Sequence, residues 1–177
     1  MSHLRRPWTR VAGAAMAGHV FFELGAGVGM PFASVLGPVP AAAVWAAGAV
    51  QVQRAAGSPR TDRTLAVVNG LSVAAAAAHL AGWPRRRTRL GLPWLTDCEG
   101  LGPELMRWYN PIVYAGGIAA LAAVLTEKGT APRWAALLPL ALVPALVRVQ
   151  HAEHERLRRQ AIMRPGWWNR RLQPGSR

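Results

Sequence analysis

One carboxylate, Glu23, stands inside a long apolar stretch, and His19 precedes it by four residues. On a helix that spacing sets the two about 40° apart, on one face and within hydrogen-bond reach. An ionised carboxylate in hydrocarbon costs on the order of 2.5–3.5 kcal/mol even on lenient insertion scales, so something must compensate for it. A Glu–His pair in a water-poor setting can hold one mobile proton, which is the equipment of general acid–base catalysis. The plainer use of the same pair is a buried polar contact between helices. Gly25, Gly27 and Gly29 follow directly in Gly-Ala-Gly-Val-Gly-Met-Pro. No strand precedes them, so a dinucleotide loop is excluded, and close packing or unwinding before Pro31 is expected.

Two further polar stripes can reach the same region. Asn69, Ser72 and His79 fall within an arc of about 80° at helical spacing, on an otherwise Ala/Val/Leu segment. Asn110, Tyr114 and Gly117 recur at i, i+4 and i+7, just after Trp108. Between the stripes, residues 84–107 carry Asp97, Glu99 and Glu104, three of only eight acidic residues in a chain of net charge +13. The expected arrangement is one cavity with Glu23 and His19 deep, and with His79, Asn110 and Tyr114 nearer the mouth. The acidic loop would lie over that mouth as a lid. In this reading Glu23, His19, His79, Asp97 and Glu99 are the catalytic candidates. Asn69, Ser72, Glu104, Asn110, Tyr114 and Trp108 are the substrate-binding candidates. For the stripes, interhelical hydrogen bonding is the competing use, and for the loop it is pairing with Arg85 to Arg89 and Arg107.

Metal and cofactor chemistry has little support in the motifs. Cys98 is the only cysteine, which excludes a disulfide within the chain and any CxxC site, and it reads as an incidental thiol. His151 and His154 offer two imidazoles without a third ligand and sit in a charged run, so a solvated helix is the better account. Haem ligation by His19 and His79 would need facing rings at one depth, whereas their expected depths differ. No metal or cofactor is therefore expected.

The elements that must position these residues are membrane helices. Apolar residues gather into runs near or above the roughly 20 residues a helix needs to cross hydrocarbon. Gly37-Pro38-Val39-Pro40 breaks the longest run, because proline cannot donate the helical hydrogen bond. The fold class is an all-α, polytopic helix bundle with about five spans at 10–35, 39–53, 64–83, 108–125 and 134–149. They form a single membrane domain over 1–150, followed by a basic tail over 151–177. Pro139 and Pro144 should kink the last span. Trp8, Trp83, Trp108 and Trp134 fall at the ends of the spans, where the headgroup level suits an indole, and only Trp45 lies well inside one. Eight basic residues flank the N-terminal side, which leaves thirteen of 21 on the other. Loop 84–107 and the tail are thus expected in the cytoplasm, with the chain a multi-pass protein of the cell membrane. A cleaved signal peptide is disfavoured by Glu23 and by the lack of a small-x-small site.

The arginines sit at the ends of apolar runs and not along one face of a soluble helix, so membrane lipid is the expected partner and nucleic acid is not. Three functional classes remain. One is a small membrane enzyme using the Glu/His pair on a lipid or isoprenoid, by cyclisation or isomerisation. It is analogous in size and acid catalysis to membrane terpene cyclases, without a shared motif. The others are a non-catalytic subunit that contacts a partner membrane protein, and a proton-coupled transporter, for which no internal repeat is visible.

Overall fold

The apolar runs fold as helices in the computed structural model, which describes residues 6–127 and 129–175. The sequence expectations for Arg5, Lys128 and the last two tail residues lie outside the described residues. The helices are α1 (Pro7–Ala26), α2 (Ala33–Leu36), α3 (Pro38–Ala55), α4 (Asp62–Gly82), α5 (Gly102–Thr126), α6 (Arg133–Leu137) and α7 (Val143–Met163). The fold class is all-α. Three stretches are long and apolar enough to cross a membrane: Pro59–Gly82, Gly102–Thr126 and Arg133–Met163. The other two expected spans do not reach that standard. Helix α1 carries Arg10, His19 and Glu23, and α3 ends in Gln51, Gln53 and Arg54 within 18 residues.

Three boundaries differ from the sequence expectation for local physical reasons. Helix α1 stops at Ala26, not near residue 35, because Gly27 takes φ 86° and its N–H caps the Glu23 carbonyl. That left-handed cap suits glycine, which has no Cβ to clash. The following turn is held by the Trp45 indole, which donates to the Pro31 carbonyl at 3.2 Å. The last apolar run does not end at 149. After a 3-10 turn over Leu138–Leu142, which begins beside Pro139, it continues as α7 to Met163 with its charged face in solvent. The third is the start of α5, at Gly102 and not at 108; the shortened loop before it contains a small antiparallel hairpin, β1 (Arg85–Arg87) with β2 (Pro93–Leu95).

Helix α5 is the central element, packed on α1 and α4; α3 lies against α1, and α6 and α7 lie against α4. Small residues permit these approaches: a Cβ on Gly70 would collide with the Ala136 backbone of α6. At its start α1 is capped by the Glu127 carboxylate, which accepts from the Trp8 and Thr9 backbone N–H groups at 2.7 and 2.9 Å and from the Thr9 hydroxyl at 2.8 Å. One apolar core lies beneath the hairpin loop, around Val28, Leu95, Leu101, Met106, Tyr109 and Val113. A second joins α1, α3 and α7 through Val20, Met30, Ala41 and Leu157. Val39, Ile118, Leu121, Leu125 and Leu138 project outward. An apolar outer surface of that kind is what hydrocarbon requires of helices crossing it.

Candidate functional site

His19 and Glu23 lie one turn apart on the buried face of α1, and Glu23 is only 1% exposed. From α4, His79 brings its Nε2 to 4.0 Å from a Glu23 carboxylate oxygen. The His79 Nδ1 lies 2.9 Å from the Ala75 carbonyl. In the neutral ring Nδ1 therefore carries the proton, and the Nε2 lone pair is free. The two histidine rings meet edge to face with centroids 5.4 Å apart. From α5, the Tyr109 hydroxyl donates to Glu23 and its ring touches both imidazoles. The loop completes the group: the Cys98 thiol donates to the Tyr109 oxygen at 3.7 Å, and ligand atoms of His79, Cys98 and Glu99 lie within 4.8 Å of one another. Six chemically active side chains from three helices and one loop thus share a single buried region.

The loop is delivered to this region by polar ties. Asn110 is fully buried; it accepts from the Leu95 N–H at 2.9 Å and donates to the Leu95 and Met106 carbonyls at 3.0 and 2.8 Å. The Asp97 carboxylate accepts from Gly102 N–H at 3.1 Å, where α5 begins. Between these ties Glu99 has φ 53°, followed by Gly100 at 85°. A left-handed glutamate is sterically costly, and it persists only where its surroundings fix it. Burial pushes the Glu99 carboxyl up to about 8, with the Glu153 carboxylate adding to the effect. Burial also holds the Cys98 thiol well above its usual range, reinforced by the Glu99 and Glu23 carboxylates.

Beside His19 and His79 lies a cavity of about 20 Å³, bounded by Met16, Ser72, Ile112 and Gly116. That holds roughly one water molecule. The His19 and His79 rings stand side by side and not at the different depths expected.

The remaining residues singled out in the sequence take varied places. Asn69 donates to the Thr9 hydroxyl at 2.9 Å and ties α4 to α1, while Ser72 donates to its own helix at Val68 and lines the cavity. Asn110 and Asp97 hold the loop, and Tyr114 donates to the Pro93 carbonyl of β2. Glu104 is exposed, and Trp108 is 59% exposed with the Arg107 guanidinium over its ring; the structure brings neither to the cluster. His151 and His154 pack on Trp83, and His151 Nε2 lies 2.9 Å from the Gly82 carbonyl.

Sequence reasoning missed Tyr109 and set Cys98 aside. Tyr109 is one position away from the polar stripe of α5, and its signal was the run of Met106, Tyr109, Val113 and Gly116 that forms the buried face. Cys98 had no partner cysteine to mark it, and its setting arises only from the loop's path. No known protein family, curated protein or solved structure matches the chain.

Proposed function

We propose that this protein is a small membrane enzyme in which Glu23 and His19 act as an acid–base pair on a lipophilic substrate, a lipid or isoprenoid. The observation that carries this reading is a carboxylate 1% exposed within a helix bundle, held by the Tyr109 hydroxyl and one turn from a buried imidazole. A preoriented acid in a water-poor site spends no reorganisation at the moment of proton transfer. Protonation of an alkene carbon by Glu23 would consume the π bond and leave a carbocation. Loss of a proton from a neighbouring carbon to His19 would form the shifted double bond, and return of that proton to Glu23 would close the cycle. This isomerisation balances without a co-reactant. In the cyclisation variant a second double bond captures the cation before the proton is lost.

A cavity of about 20 Å³ admits no isoprenoid, so the substrate must part the helices. The route with least to displace is the small-residue seam of Ala15, Ala75, Ala76, Gly116 and Gly117. The closed cavity also favours a second reading, a non-catalytic membrane subunit whose polar cluster fastens α1, α4 and α5 to one another. One experiment separates the two. The protein in lipid nanodiscs is incubated in D2O with a total polyprenyl-lipid extract, and the lipids are analysed by mass spectrometry. Solvent deuterium should enter a lipid with wild-type protein and not with Glu23→Gln. Absence of incorporation with wild-type protein, or unchanged incorporation with Glu23→Gln, would refute the acid–base assignment.

A further inference from the structure

We infer that His79, Cys98 and Glu99 form a binding site for a divalent transition-metal ion of the zinc type, adjacent to the Glu23–His19 pair and using neither of its two residues. Their ligand atoms already lie within 4.8 Å of one another. Zinc bonds of about 2.0–2.3 Å to nitrogen, oxygen and sulfur in a tetrahedron set ligand separations near 3.3–3.6 Å. Closing the difference, about 1.5 Å at most, is within the reach of side-chain rotation.

Two independent features point to an ion here. The Glu99 carboxylate is 8% exposed and has neither a hydrogen-bond donor nor a basic partner among the described residues. A buried carboxyl without a partner stays neutral, and it ionises where it is paired or coordinates a metal. The His79 ring is oriented as a metal ligand is: Nδ1–H donates to the Ala75 carbonyl, which fixes the tautomer and presents Nε2.

His19, Glu23 and His79 also lie within 4.8 Å of one another and form a rival set. Two observations favour the loop set. Glu23 already receives the Tyr109 hydrogen bond, whereas Glu99 receives none. The loop set also adds a thiol, which an ion would bind as the thiolate, a soft ligand that selects zinc-like ions over magnesium or calcium. Because His79 belongs to both sets, one ion bound through Nε2 must choose between them.

Cobalt(II) titration of the full chain in detergent micelles, followed by absorption, tests the proposal. The expected result is one cobalt per chain with a near-ultraviolet thiolate-to-cobalt charge-transfer band, displaced by zinc. Cys98→Ser should remove the band. Glu99→Gln, nearly isosteric, should weaken binding at least about tenfold, while circular dichroism shows the helices intact. Glu23→Gln and His19→Gln should keep the band, so loss of the acid–base pair and loss of the metal site are read separately. No bound cobalt, binding without the thiolate band, or binding that depends on His19 and Glu23 but not on Cys98 would each overturn the assignment.

Discussion

Replacing Asn110 by leucine should release the loop that carries Cys98 and Glu99, at a cost calculable from three hydrogen bonds. Leucine keeps the branched shape and replaces the polar ends by two bulkier methyl groups, which adds some overpacking to the loss of the hydrogen bonds. The Met106 carbonyl retains its ordinary helical partner, but the Leu95 N–H and C=O lose theirs in a fully buried position. Two orphaned backbone groups at about 1–3 kcal/mol each give about 2–6 kcal/mol. Interhelical hydrogen bonds in membrane proteins average about 0.6 kcal/mol, and three on that scale give about 2 kcal/mol. The two counts overlap at the low end of the first, and water reaching the loop side of β2 relieves part of the higher one. We expect a loss of about 3 kcal/mol, roughly a hundredfold in the folding equilibrium. Equilibrium unfolding in mixed micelles of rising SDS fraction, followed by tryptophan fluorescence, measures it. Trypsin reports the same event locally, since Arg85, Arg86 and Arg87 form the partner strand. A loss below about 1 kcal/mol, with trypsin cleavage unchanged, would refute the view that Asn110 anchors the loop.

Two further substitutions probe the frame around the site by the same unfolding assay. Gly70→Ala puts a Cβ into the Ala136 backbone and should cost about 1–3 kcal/mol by overpacking, whereas Gly48→Ala, with open space at its Cβ, should stabilise α3 by up to about 1 kcal/mol. Glu127→Gln weakens the cap that a carboxylate makes over three donors at the start of α1 and should cost about 1 kcal/mol, with an intact high-salt melting profile counting against a charge contribution.

The parts of this molecule that obey a period could be read from residue order. His19 and Glu23 share a face because four residues nearly complete a turn, and His79 belongs to a stripe of the same kind. Where a period does not apply, expectation failed. The end of α1 depends on Gly27 adopting a left-handed conformation, a choice that three closely spaced glycines leave open. The start of α5 at Gly102 lies six residues before its apolar run, where hydropathy gives no signal. Tyr109 looked like any aromatic near a helix end until α5 turned it toward Glu23. Cys98 and Glu99 reached the cluster through a hairpin, a buried asparagine and a strained backbone, none of which follows a sequence rule.

The turn after α1 also sets an order of events during synthesis. The Gly29 N–H donates to the Trp168 carbonyl at 2.8 Å, the Arg171 N–H donates to the Gly27 carbonyl at 3.0 Å, and the Arg170 guanidinium reaches the Gly25 carbonyl 145 residues away. At roughly 5–20 residues per second, the ribosome supplies this clasp about 7–29 s after the helix it secures. Through that interval the glycine-rich end of α1, one turn beyond Glu23, has no clasp. The nascent helix must therefore wait with Glu23 incompletely enclosed, and the buried cluster is complete only when the tail arrives.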